Sequence, residues 1–248
     1  MEAIEKLSET ETISDKRPLE TLELTTQGMA LVKLYNEMAE RGYERGDQQY
    51  IKPQDVYADF QLRKFRHIVR PRMETVDIKT VLDYGGGASD WSKLNFDPDS
   101  GMSAKDFFGV DEATVYEPAR DLLVKKVSDC VICMDVLEHV FIADIPNVVR
   151  DLFSHAEKLL VVNVACYPAA ALLPNGENAH ITVRGPDWWK GIFDTISVDY
   201  PGVEVMLLCS ETFVQGVAYE PYKAATWLSS TEFTTAQGFR TFGEGQQE

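Results

Sequence analysis

The run KLLVVNVAC at 158–166 sets apolar residues side by side, with Asn163 breaking the series once. A strand with one wet face would alternate, because successive side chains point to opposite sides of a sheet. Unbroken apolarity calls for cover on both faces, and CVICMD at 130–135 and VEVMLLCS at 203–210 call for the same. Strands of this kind belong to a mostly parallel sheet between helical layers, an α/β architecture. KTVLDY, ATVYEP and FVQGVAYE supply further strands. With 248 residues, 44% of them hydrophobic, the chain can build one large domain of this type.

Helical spacing appears from Gly28 onward, in Met29, Leu31, Val32, Leu34, Tyr35 and Met38, and the polar RGYERGDQQYIKPQD that follows reads as a loop. A second helix is expected from Val56 to Val69, carrying Tyr57, Phe60, Leu62, Phe65 and Ile68 and closed by Pro71. VLEHVFIADIPNVVRDLFSHA and PDWWKGIFDTI also read as helical. The acidic, hydroxyl-rich residues 1–24 are expected to form a polar flexible arm, 25–228 the domain, and the aperiodic 229–248 a flexible tail.

Lys and Arg number 24 against 40 Asp and Glu, a net charge of −16. That field repels phosphate backbones, and no basic stripe offsets it, so neither nucleic acid nor an anionic membrane surface is expected as a partner. The N-terminal residues lack a secretory apolar core. The longest apolar stretch, 159–174, is broken by Asn163 and Pro168 and is too short to span a bilayer. The expectation is a soluble, cytoplasmic protein. Cys130 and Cys133 form a CxxC, but on a strand residues three apart face opposite ways. All four cysteines, with Cys166 and Cys209, read as reduced core thiols.

The stretch VLDYGGGASD at 81–90 follows a strand with three glycines. In such sheets ligands gather at the carboxyl ends of the strands, where glycine lets main chain approach them. Asp83 can anchor a polar group or hold the loop, and Glu117, at the end of ATVYEP, can accept both hydroxyls of a ribose. A nicotinamide fingerprint would need a glycine where Asp90 stands.

DYGGGAS resembles the acidic-x-Gly-x-Gly motif of class I S-adenosylmethionine-dependent methyltransferases, VYEP their ribose-binding strand end, and CVICMDVLEHV their fourth-strand motif. The resemblance covers roughly residues 56–220. It implies a Rossmann-like, mostly parallel sheet sandwiched by helices, with seven strands and an antiparallel C-terminal hairpin. It also implies S-adenosyl-L-methionine as cofactor. Gly85 and Gly87 would line its methionine part, Asp83 would hold the loop or reach its amino group, Glu117 would hold its ribose, Asp135 and Val136 would flank the methionine and methyl region, and Tyr84, Gly86 and Pro118 would also belong to the cofactor site. Between Glu117 and Asp129 only residues 118–128 intervene, too few for the helix and strand usual there. The sheet is therefore expected to be shortened between its second and fourth strands, leaving the adenine contacts unassigned.

The segment CYPAAALLPNGENAHITVRGPDWWKGIF at 166–193 leaves the sheet on the carboxyl side and should overhang the cofactor. Its LPNGENAHITVRGPDWW resembles a signature of bacterial and phage methyltransferase-domain proteins. Asn178, His180, Thr182 and Arg184 alternate with apolar residues, so an extended segment would present them on one face. His180 is the expected general base for a hydroxyl acceptor and His139 the second candidate. Tyr167, Asn178, Thr182, Arg184 and Trp188 are the expected acceptor contacts; of Trp188 and Trp189, one reads as a core anchor and one as a surface cover. Asp135, Glu138, His139 and His180 form a carboxylate–imidazole set of a kind that binds metals; the sequence alone assigns no metal. His67 and His155 read as structural or solvent-facing helix residues. The function these features imply is methyl transfer to a hydroxyl, less readily an amine, of a small-molecule or carbohydrate-like acceptor. The alternative is a cofactor-binding partner subunit without catalysis, suggested by the shortened stretch after Glu117.

Overall fold

A computed structural model describes residues 22–45, 49–57, 61–222 and 230–235. Its centre is a seven-stranded sheet in the order β4-β3-β5-β6-β7-β8-β9. The strands are β3 (Thr80–Tyr84), β4 (Glu112–Tyr116), β5 (Ser128–Met134), β6 (Ala156–Ala165), β7 (Glu204–Ser210), β8 (Gln215–Tyr222) and β9 (Ser230–Thr234). The first five run parallel, and β8 and β9 form the antiparallel C-terminal hairpin. No strand separates β4 from β5 in the chain, so β4 is the sheet edge, as the short 118–128 connection implies.

The unalternated strands are covered twice. Val131 and Cys133 of β5, Leu160, Val162 and Val164 of β6, and Val205, Leu207 and Cys209 of β7 pack on one face. That face is closed by α4 (Ile145–His155) and α5 (Pro186–Ser197), whose Val149, Leu152, Trp189 and Phe193 are buried. Cys130, Ile132, Leu159, Val161, Met206 and Leu208 point the other way. They meet Leu62, Phe65, Val69 and Met73 of α2 (Leu62–Thr75) and Phe107 and Phe108 of α3 (Ala104–Phe108). Each such aliphatic side chain, fully buried, contributes about 1.5–3 kcal/mol. The CxxC sulfurs lie in opposite layers, and all four cysteines are free; Cys166 is half-buried and the other three are buried.

Four expectations need correction. Helix α2 starts at Leu62 and continues through Pro71 to Thr75. Tyr57 takes a left-handed φ of 54°, which keeps 56–57 out of the helix, and Pro71 sits on the exposed face where its missing N–H is tolerated. The segment after α1 (Thr26–Arg41) is a ribbon, β1 (Tyr43–Glu44) paired with β2 (Tyr50–Ile51). The helical pattern at 136–156 splits into one turn at Leu137–His139 and α4, whose start carries Pro146 at a position suited to proline. Residues 230–234, expected in the tail, form the edge strand β9; 223–229 and 236–248 lie outside the described residues.

Of the expected arm, 1–21 lie outside the described residues, and 22–24 are docked. Leu22 and Leu24 pack against the α4–α5 layer. Thr25 caps α1 by accepting from the Gly28 N–H at 3.1 Å. Its own N–H and hydroxyl donate to the two carboxylate oxygens of buried Asp144 at 2.7 and 2.9 Å. The latch places α1 over the carboxyl ends of the strands, against Leu173 and Ala179. Among the described residues no helix is long and apolar enough to cross a membrane.

Candidate functional site

The glycine loop leaves the end of β3, and each of its three glycines has a separate cause. Gly85 and Gly87 have φ values of 72° and 59°, which side-chain-bearing residues adopt only at a cost. A Cβ on Gly85 would stand 2.5 Å from Val136 Cγ2, one on Gly86 2.6 Å from the Asp83 carboxyl carbon, and one on Gly87 2.7 Å from the Tyr57 carbonyl. The loop is pinned from three sides. The Gly85 and Gly86 N–H groups donate to the Tyr116 carbonyl at 2.7 and 3.3 Å, and the Ala88 N–H donates to the Tyr57 carbonyl at 3.0 Å. The Gly87 N–H donates to Glu117 Oε2 at 3.1 Å.

Glu117 directly follows β4 and also accepts from the Ala119 N–H at 2.9 Å, so each carboxylate oxygen holds one main-chain donor and keeps room for another. Burial raises its pKa, against the pull of those two donors. Asp83 is buried beneath the loop and accepts from the Trp91 indole N–H at 2.8 Å. Burial pushes its pKa up to about 6, with the Trp91 and Ser89 hydrogen bonds opposing. Among the described residues no cation pairs with it. Tyr84 gives the site only its main chain. Its ring packs on Tyr116 and its hydroxyl donates to Asp151 Oδ2 at 2.7 Å, inside the α4 layer.

Next to the loop, Asp135 directly follows β5 and is held at a φ of 60°. Burial works to raise its carboxyl; His139 and the neighbouring Glu138 overcome that and hold it below the usual range. Burial, then repulsion from Asp135, drives Glu138 well above the usual range, so Glu138 carries the proton of this pair. Glu138 Oε1 accepts from the Ala165 N–H at 2.6 Å, and the acid shares its proton with the Asp135 carboxylate. His139 Nδ1 lies 2.9 Å from the Ala179 carbonyl and 3.0 Å from the Tyr35 hydroxyl, which itself donates to that carbonyl at 2.7 Å. Burial pushes His139 down to about 4, so it is neutral at pH 7. His180 Nδ1 lies 2.6 Å from the Tyr167 carbonyl, and the two imidazoles meet edge to face with centroids 4.7 Å apart. A carbonyl can only accept, so each Nδ1 carries a hydrogen, and in the neutral ring Nε2 keeps the lone pair.

These groups share one cavity of about 750 Å³ above the carboxyl ends of β3, β4 and β5. Asp83 through Gly87, Glu117, Pro118, Asp135, Val136, His139, Tyr167 and His180 all line it. The opposite wall is mainly apolar, from Leu22, Leu24, Leu31, Val32, Met38 and Ile51 beside Phe141 and Ala169–Ala171.

Four expected acceptor contacts fall outside that lining. The Asn178 amide donates to the Ala169 carbonyl at 2.8 Å and accepts from the Ala169 N–H at 2.9 Å, closing the 169–178 loop. Thr182 is buried and its hydroxyl donates to the Val140 carbonyl at 2.8 Å. Arg184 is exposed, its guanidinium carbon 5.9 Å from the Trp188 ring. Trp188 packs edge to face on the buried Trp189, as cover and anchor. His67 is exposed, and His155 is buried at the end of α4 with Nδ1 2.8 Å from the Asp151 carbonyl. Two participants went unassigned in the sequence. Tyr35 was legible only as one apolar position of a helix, and Tyr57, placed on a helix, instead folds over the glycine loop.

No family model matches the chain, and neither curated proteins nor solved structures include one similar to it.

Proposed function

We propose that the chain is an S-adenosylmethionine-dependent methyltransferase acting on a hydroxyl of a small acceptor with an apolar body. The observation that carries this is the convergence, in one cavity, of the pinned glycine loop, Glu117, and the Asp135–His139–His180 cluster. The sheet order supports it. Taking β3 as first strand, the parallel part follows the doubly wound nucleotide-binding order with its third strand omitted, and the cavity sits at the switch point between β3 and β5. In this reading the ribose hydroxyls donate to the free lone pairs of Glu117. The glycine loop lies against the methionine part, and the charge on Asp83 faces the cationic end of the cofactor. A volume of 750 Å³ lies in the upper part of the range for small-ligand sites, enough for a cofactor and a second small molecule.

The chemistry is one displacement. An acceptor oxygen lone pair forms the new C–O bond, the S–CH₃ bond breaks onto sulfur, and S-adenosylhomocysteine leaves as a neutral thioether. The hydroxyl proton passes to a base, and in the protein alone the candidate lining the cavity is His180, through Nε2. The cofactor supplies the reactive methyl; the chain supplies alignment. The apolar wall under α1 favours an acceptor with a hydrophobic body over a bare sugar. Calorimetry with S-adenosylmethionine tests the reading: one site per chain is expected, lost in Glu117→Ala, and no heat with the intact protein would end it. Tight cofactor binding without turnover on a broad panel of hydroxyl acceptors would favour the non-catalytic partner subunit.

A further inference from the structure

We infer that Asp135, His139 and His180 hold a divalent transition-metal ion on the floor of the cavity, facing the acceptor; only the chemistry assigned to the ion rests on the methyltransferase reading. Asp135, His139 and His180 each offer a donor atom, and the three lie within 4.8 Å of one another. Both imidazoles are tethered through Nδ1 to main-chain carbonyls, Ala179 for His139 and Tyr167 for His180. That tether fixes the tautomer and aims Nε2 outward, the arrangement by which proteins orient metal-binding histidines. The same three residues line the cavity together, so an ion held by them is open to a ligand from that side. One carboxylate with two imidazoles makes a mixed oxygen–nitrogen set suited to first-row divalent ions.

The other three-donor group, His67, Asp97 and Asp99, lacks these features. Asp97 is already taken by Arg66 at 2.8 Å and by Ser100, and Asp99 is exposed. In the Asp135 site the remaining coordination positions face the cavity. With the ion held by Asp135, His139 and His180, a hydroxyl bound to it would be more acidic and would release its proton to bulk water, and His180 would then serve as ligand and not as base. The ion also selects hydroxyl acceptors over amines held as ammonium groups.

Full-length protein stripped with chelator is titrated with Mn²⁺ alone, followed by electron paramagnetic resonance, and with Co²⁺ alone, followed by calorimetry and visible absorption. One ion per chain is expected without cofactor or acceptor present. Affinity should fall roughly 100-fold or more in His180→Ala and Asp135→Asn, and roughly 10-fold in Tyr35→Phe, which touches only a ligand's far side. Asp97→Asn should leave it unchanged. Circular dichroism checks each fold, and His180→Asn, which keeps a donor for the Tyr167 carbonyl, stands in if the alanine variant misfolds. Absence of a stoichiometric site, affinity unchanged from the parent in the His180 and Asp135 variants, or loss in Asp97→Asn would overturn the proposal. Cofactor affinity is measured separately on the stripped protein. Cofactor binding without metal binding removes only this inference, whereas metal binding without cofactor binding removes the methyltransferase reading and leaves the metal site standing.

Discussion

Replacing Asp83 by Asn should make the free protein more stable and a worse binder of the cofactor. Asp83 is 3% exposed, accepts from Trp91, and has no cationic partner among the described residues. Burial raises its pKa from 3.8 to about 6. The fold therefore favours the protonated acid, and folding takes up a proton between those pH values. The group's contribution is most favourable below pH 3.8 and is lost as pH climbs through 6. At about 1.4 kcal/mol per pKa unit, the folded state carries a charge-burial penalty of about 3 kcal/mol above pH 6, and about half of that at pH 5. An amide whose oxygen still accepts from Trp91 escapes the penalty. Urea unfolding followed by tryptophan fluorescence should show Asp83→Asn more stable by up to about 3 kcal/mol at pH 7.5, with the gap roughly halved at pH 5. Calorimetry should show weaker S-adenosylmethionine binding in the same variant, because the retained charge serves a cationic ligand. A variant less stable than the parent at pH 7.5, or a gap that does not narrow at pH 5, would refute the reasoning.

Gly85→Ala should lose about 1–2 kcal/mol from its left-handed backbone alone, more from the contact with Val136, and should abolish cofactor binding; urea unfolding and calorimetry read the two effects. In Glu117→Gln the amide nitrogen faces either the Gly87 or the Ala119 N–H, so one loop hydrogen bond is lost at about 1–3 kcal/mol and cofactor affinity falls at least tenfold. Asp144→Ala frees Thr25 and unlatches α1: hydrogen exchange should speed up across Thr26–Arg41 while the amides of β5 and β6 keep their protection.

The sheet was legible because its strands are buried on both faces, so Leu159–Val162 and Val205–Leu208 declare themselves by apolarity alone. The edge strand β9 was not legible. Ser230, Thr231 and Glu232 are exposed, and nothing in such a segment separates a strand from a tail. Helix α2 was misplaced at its start because the left-handed turn at Tyr57 depends on a contact with the glycine loop, about thirty residues away in the chain. The glycine loop, Glu117 and Asp135 could be found from their positions at strand ends, where topology brings them together. Asn178 and Thr182 misled for the opposite reason. Their alternation with apolar residues does mark an extended segment, but their polar atoms are used by the Ala169 main chain and the Val140 carbonyl. Alternation tells which side a residue takes, and only packing tells what waits there.

The claim on which the account stands is that the cavity over β3, β4 and β5 receives a sulfonium nucleoside. A crystal structure with S-adenosylhomocysteine tests it most directly. The account predicts the nucleoside in that cavity, its ribose hydroxyls on Glu117, its amino acid part along Gly85–Gly87, and its sulfur turned toward Asp135 and His180. A cavity without the nucleoside at saturating concentration, or a nucleoside bound elsewhere with Glu117 untouched, would contradict it.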